Sequence, residues 1–220
     1  MNPAPLQHSS PTRRSGLAGV IRDAILFSPH PAMNEESLLA AVREFLATLE
    51  RDRIPHVLVG GLATLQFVEA RNTRDIDLII AVEDLDRLPG FVLRERRDWF
   101  ATGDCGPLRV DLLFTTNPLF ERIAREHSEE RAFLEARLRC ATPEGIILLK
   151  LFALPSLYRQ GQVDRAALYE TDILLLLRHF PAEDAILLDQ LAPHMPPTDI
   201  RALEGVLSDI RTRLSNPSRF

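Results

Sequence analysis

Two aspartates, one residue apart, open an apolar run: in "RDIDLIIAV" Asp75 and Asp77 precede Leu78, Ile79 and Ile80. Aspartate is a poor strand former, and like charges on one strand face repel. A sequence shaped by folding alone would avoid both. Side chains along a strand repeat every two residues, which puts the two carboxylates on one face with Cα atoms roughly 7 Å apart. A third acid, Asp111 in "RVDLLF", sits inside another apolar run. If the two strands are neighbours, three carboxylates converge. That donor set suits Mg²⁺ (or Mn²⁺), and two such ions about 4 Å apart can serve in-line phosphoryl chemistry. The competing readings are an exposed strand end for Asp75 and Asp77, and an edge acid paired with Arg109 for Asp111.

Two further features have the right character for phosphate. In "VLVGGLA", Gly60 and Gly61 end one run and open another. Backbone N–H groups at a helix start, unobstructed by side chains, bind phosphate well. Lys150 is the only lysine in the chain, against 25 arginines. Arginine cannot reproduce the compact ammonium, which is a reason to retain one lysine; chance and a snorkelling surface side chain are the alternatives. The six histidines form no cluster at metal spacing. Trp99 and the phenylalanines read as core rather than as stacking platforms.

The elements that must position these residues follow from periodicity and punctuation. A helix is expected from Asn34, its cap, through Leu49, with Pro55 ending the unit. Residues 56–61 read as a buried strand, 62–70 as a helix and 75–82 as a central strand. "EDLDRLPG" is a short helix or turn. "DWFATG" and 108–114 form a hairpin through "GDCGP". Asn117–Pro118 and Thr142–Pro143 open two helices, each with a cap followed by proline at the first position. Further helices are expected over 163–180 and in "AEDAILLDQLAPH" and "PTDIRALEGVLSDIRTRL". The fold class is α+β: a mixed sheet core flanked by helices, followed by a helical bundle. A flexible arm over 1–32, an α/β core over 33–140 and a helical region over 141–220 are the expected divisions.

Composition narrows the functional classes. The charged fraction is 26% and the net charge −5, which argues against a broadly basic nucleic-acid-binding face. Cys105 and Cys140 have neither metal nor redox spacing and read as reduced, buried thiols, consistent with a cytoplasmic protein. No apolar run is long enough for a membrane span, and no signal peptide is expected.

The motif set resembles the DNA polymerase β-like nucleotidyltransferase superfamily, and within it the minimal AbiEii-like nucleotidyltransferases of the abortive-infection toxin type. In that group Gly-Gly-x-Ala precedes Arg-x-Thr-x-Asp-x-Asp; the matching residues are Gly60, Gly61, Ala63, Arg71, Thr73, Asp75 and Asp77. The resemblance spans about residues 40 to 180. It implies catalytic, metal-binding roles for Asp75, Asp77 and Asp111. It implies nucleotide binding by Gly60, Gly61, Arg71, Thr73 and Lys150, the last through phosphate, with Ala153 three residues on. Arg74, Arg159 and Asp172 are further candidates. The family's Lys/Arg-Asp-x-x-Asp segment is stretched here: Asp172 matches its last acid, while Tyr169 stands where the earlier acid belongs. Arg74 reads equally as a local counter-charge, Thr73 as a turn cap, and Arg159, Asp164 and Asp172 as salt-bridge partners. The implied activity is transfer of a nucleoside monophosphate from an NTP to an acceptor hydroxyl on tRNA, a protein or a small molecule. A cognate antitoxin is an implied partner. The alternative is a catalytically degenerate protein with this fold that binds nucleotide or regulates a partner.

Overall fold

The computed structural model describes residues 35–69, 75–133 and 136–216. The arm over 1–32, the cap Asn34, and Arg71, Thr73 and Arg74 lie outside the described residues.

A seven-stranded mixed sheet organises the chain. Its strands are β1 (His56–Val59), β2 (Ile76–Ile80), β3 (Phe91–Arg97), β4 (Phe100–Cys105), β5 (Leu108–Phe114), β6 (Ser128–Phe133) and β7 (Ala136–Ala141), in the order β3-β4-β5-β2-β1-β7-β6. β2 stands at the centre, antiparallel to β1 and parallel to β5. Its apolar content follows from this: Ile76, Leu78, Ile79 and Ile80 are each no more than 1% exposed, as expected of a strand covered on both faces. Parallel neighbours need a crossover, and the β3–β4 hairpin is part of the excursion between β2 and β5.

The helices are α1 (Glu35–Arg51), α2 (Gly60–Thr64), α3 (Pro118–Glu126), α4 (Pro143–Arg159), α5 (Val163–His179), α6 (Asp184–Leu191) and α7 (Pro197–Ser215). Both predicted cap-and-proline starts form. The Asn117 side chain accepts from Leu119 N–H at 2.9 Å, and Thr142 Oγ1 accepts from Gly145 N–H at 3.2 Å. α1 and α3 pack against the sheet. α4 leans on β7 and α2, and α5, α6 and α7 gather around it. Among the described residues, everything after Ala141 is helical or connecting.

Five expectations need correction. The helix expected over 62–70 is five residues long and begins at Gly60. Thr64 Oγ1 donates to Gly60 O at 2.8 Å, and Gln66 and Phe67 bond three residues back, so the chain tightens and leaves the helix. β2 starts at Ile76, leaving Asp75 just outside the strand. β4 starts at Phe100 and runs to Cys105, so the hairpin turns at Gly106–Pro107. β3, β6 and β7 were not expected at all. β3, FVLRERR, has six of seven residues exposed and carries charge on both faces, so it lacks the alternation that reveals a strand. Trp99 is not core: it sits in the β3–β4 turn and is 51% exposed. Cys105 and Cys140 are buried free thiols, as expected, and burial pushes them up to about 11 and about 12. No helix among the described residues is long and apolar enough to cross a membrane.

Candidate active site

The register of the central strands brings two of the three acids side by side. Asp77 of β2 is paired with Asp111 of β5 in the parallel ladder. The same rung continues to Val59 on β1, Thr102 on β4 and Glu95 on β3. Because paired residues share a face, one row of side chains runs along the floor of a cleft of about 460 Å³. The far wall comes from the helical half, with Lys150 and Phe152 on α4 and Arg165 and Tyr169 on α5.

Gly60 is what lets Asp77 sit there. Its φ is +64°, a conformation glycine adopts without strain. A Cβ built on Gly60 would collide with the Asp77 carboxylate. The next amide, Gly61 N–H, donates to Asp77 Oδ2 at 3.4 Å. The Gly-Gly pair therefore serves the aspartate directly, and the helix it opens is too short to act as a phosphate-binding dipole.

The electrostatics show a site loaded with negative charge. Burial, then the charge of Asp111, push the Asp77 carboxyl up to about 7; Lys150 and the Gly61 amide pull against this, and Asp75 adds to it. Burial also raises Asp111, opposed first by Arg109, whose Nε lies 3.5 Å from Asp111 Oδ1, and then by Arg165. The donors are carboxylate oxygens, the chemistry a hard divalent cation selects. Two of them are adjacent at the sheet centre, and a cation there would relieve the mutual repulsion. Among the described residues, no three His, Cys, Asp or Glu side chains are already gathered tightly enough to chelate one ion. The carboxylates that line the cleft are Asp77 and Asp111; Asp75 precedes β2 and acts on both through its charge.

No family model matches the sequence, and no curated protein matches it by sequence. Among solved structures, the solution structure of the antibiotic-resistance factor ANT(2″)-Ia is similar, with TM-score 0.54 and 17% identity over 82% of this chain and 100% of that chain. So is the crystal structure of an antigenic nucleotidyltransferase-like protein from Paracoccidioides brasiliensis, with TM-score 0.53 and 15% identity over 82% of this chain and 93% of that one. The fold is the nucleotidyltransferase fold. At these identities the likeness is one of fold, and the placement of individual residues rests on this chain's own geometry.

Within that nucleotidyltransferase fold, Gly60, Asp77, Asp111 and Lys150 all border the cleft. Lys150 is not a surface lysine. It is 4% exposed and its Nζ lies 2.7 Å from Asp172 Oδ2, the carboxylate itself being 2% exposed. The ammonium also lies 4.6 Å from the Tyr169 ring centroid. Asp172 thus belongs to the wall, as Lys150's partner, and is absent from the cleft floor. Arg159 pairs with Asp199 at 2.7 Å and ties the end of α4 to the start of α7.

Sequence reading missed Glu95, Trp99, Arg109, Arg165 and Tyr169, all of which line the cleft. Arg109 was visible as a partner of Asp111 two residues on, but its place on the cleft floor was not. Arg165, Tyr169 and Asp172 fall at i, i+4 and i+7 on α5, one helix face, a signal that the acids of that segment had masked.

Two outcomes follow from this geometry. A carboxyl raised above its unfolded value binds more protons when folded, so its contribution to stability declines as pH rises from about 4 through 7. Without divalent ions, the melting temperature should fall across that window, and added Mg²⁺ should raise it more at pH 8 than at pH 5. Asp77→Asn should flatten both trends in thermal melts; equal Mg²⁺ responses at the two pH values would contradict the assignment. Lys150→Met strands a buried carboxylate and should cost about 3–5 kcal/mol in denaturant titrations. The paired replacement Lys150→Met with Asp172→Leu should recover most of that loss.

Proposed function

We propose that the protein is a divalent-metal-dependent nucleotidyltransferase, which moves a nucleoside monophosphate from an NTP to an acceptor hydroxyl and releases pyrophosphate. The observation that carries this reading is the Asp77–Asp111 rung at the centre of the sheet, facing a cleft. Asp75, Asp77 and Asp111 are the residues that would hold Mg²⁺ (or Mn²⁺). When bound, the ion supplies charge neutralisation on the triphosphate and a lowered pKa for the acceptor hydroxyl. Gly60 and the Gly61 amide fix the Asp77 carboxylate. Arg109 screens Asp111 in the absence of a cation. In this reading Asp111, raised by burial, receives the acceptor's proton. Catalysis then rests on positioning and on fixed charges that meet the negative charge of the transferring group.

The likeness of "GGLA" and "RNTRDID" to AbiEii-like proteins supports the finer reading: the toxin of a toxin–antitoxin or phage-defence pair, controlled by a cognate antitoxin and acting in the cytoplasm. In this reading Arg71 and Thr73 contact the nucleotide, with Arg74 beside them. The acceptor is a tRNA end, a protein or a small hydroxylated molecule.

One observation favours a second reading. The lysine that the resemblance assigns to phosphate is sealed against Asp172, as expected of a degenerate site retained for nucleotide binding or regulation. Labelled NTPs, Mg²⁺ and an extract of total RNA and protein separate the two. The enzyme reading expects label in one fraction, and Asp77→Ala should reduce transfer by about 10³-fold. Undiminished transfer by Asp77→Ala sinks the mechanism. NTP binding with no transfer to any fraction supports the degenerate reading.

A further inference from the structure

The triphosphate brings several negative charges into a cleft whose floor is acidic, so some cation on the wall must meet them. Lys150 is poorly placed to do so. Freeing its ammonium would break a 2.7 Å pair and abandon a carboxylate that is 2% exposed between α4 and α5.

Three arginines also reach the cleft. Arg97 is held by Glu95 through a 2.6 Å contact, and Arg109 lies 3.5 Å from Asp111. Arg165 differs from both. Among the described residues, no carboxylate oxygen lies within 4.0 Å of its guanidinium. Its hydrogen bond is to Tyr169 Oη at 3.4 Å. The side chain is exposed toward the cleft from the first turn of α5, and its charge acts on Asp111 and Asp77 across the gap.

The rest of that helix face keeps it there. One turn on from Arg165, Tyr169 lies under the Lys150 ammonium; one further turn on, Asp172 is locked to the same ammonium. The buried pair anchors α5 against α4, and Arg165 projects from the anchored face into the open. A guanidinium fork suits phosphate oxygens better than a point charge, since it can donate two parallel hydrogen bonds.

We infer that Arg165 is the side chain that binds the triphosphate of the nucleotide, in place of Lys150. This rests on the NTP-binding reading above and names the cation within it. The contact is with phosphate, so the base should not matter.

Calorimetry in Mg²⁺ tests it with two probes, inorganic tripolyphosphate and each of the four common NTPs. Arg165→Gln should weaken tripolyphosphate and every NTP by the same factor, about tenfold or more, and should lower the salt dependence of binding. Arg165→Lys should recover part of the affinity. Arg178→Gln, the same charge change on the exposed last turn of α5, should bind as wild type does. Unchanged affinity in Arg165→Gln overturns the inference, as does an equal loss in Arg178→Gln, which would reduce the effect to net charge. Loss confined to one NTP, with tripolyphosphate unaffected, also overturns it, because the contact would then be with the base. Wild-type protein that binds neither probe removes this inference and the nucleotidyltransferase reading together.

Discussion

Two carboxylates on adjacent parallel strands repel each other, and the surroundings of the sheet centre answer that repulsion. Asp77 and Asp111 sit at the same level of β2 and β5, roughly 4.8 Å apart from strand to strand. Asp77 stands near the start of β2, and the residues that follow it, Leu78, Ile79 and Ile80, are buried apolar core. Gly60 yields the volume that the Asp77 carboxylate occupies, and Gly61 gives it an amide. Arg109 leans on Asp111 from the same strand, and Arg165 faces both acids from the opposite wall. A protein with only its own stability to satisfy has no use for this arrangement. Under the proposed function, the arrangement serves to bind a polyanion through bridging cations.

The helical half completes the cleft. α4 and α5 share one buried ion pair, Lys150 with Asp172, and at the more exposed end of their contact Tyr158 Oη donates to Glu170. Such a pair adds little net stability over a hydrophobic replacement, but separating the partners is costly, which favours the register that keeps them together. Arg165 and Tyr169 inherit their aim from that register. The Arg159–Asp199 pair extends the same logic to α7.

Legibility in the sequence tracked local chemistry. Caps followed by proline named two helix starts, Asn117 and Thr142. Apolar runs named β1, β2 and β5. The Asp-x-Asp spacing and Asp111 pointed to the two acids that the register pairs in the cleft, Asp77 and Asp111, while Asp75 lies outside the strand. Strands β3 and β6 were hidden because charged residues occupy both their faces, so neither alternation nor an apolar run marks them; β7 does alternate, with Arg137 and Arg139 exposed and Leu138 and Cys140 buried, a signal confined to a short run. Their strand character comes from pairing with neighbours far along the chain, which is a tertiary property. Trp99 was misjudged for a related reason: composition suggests burial for a lone tryptophan, yet a two-residue turn places it in solvent. The role of Lys150 could not be read from its uniqueness, since only the approach of α5 shows that its partner is Asp172.

The burial of Lys150 has a consequence for how the molecule meets its surroundings. With no other lysine in the sequence, the folded chain offers essentially no accessible ε-amine. Acylating reagents, and any cellular tag attached through lysine, find their one internal target only after α4 and α5 have come apart. A lysine-specific protease would likewise have a single cut to make, guarded by the helix contact that shapes the cleft. The integrity of that contact can therefore be followed at one covalent bond.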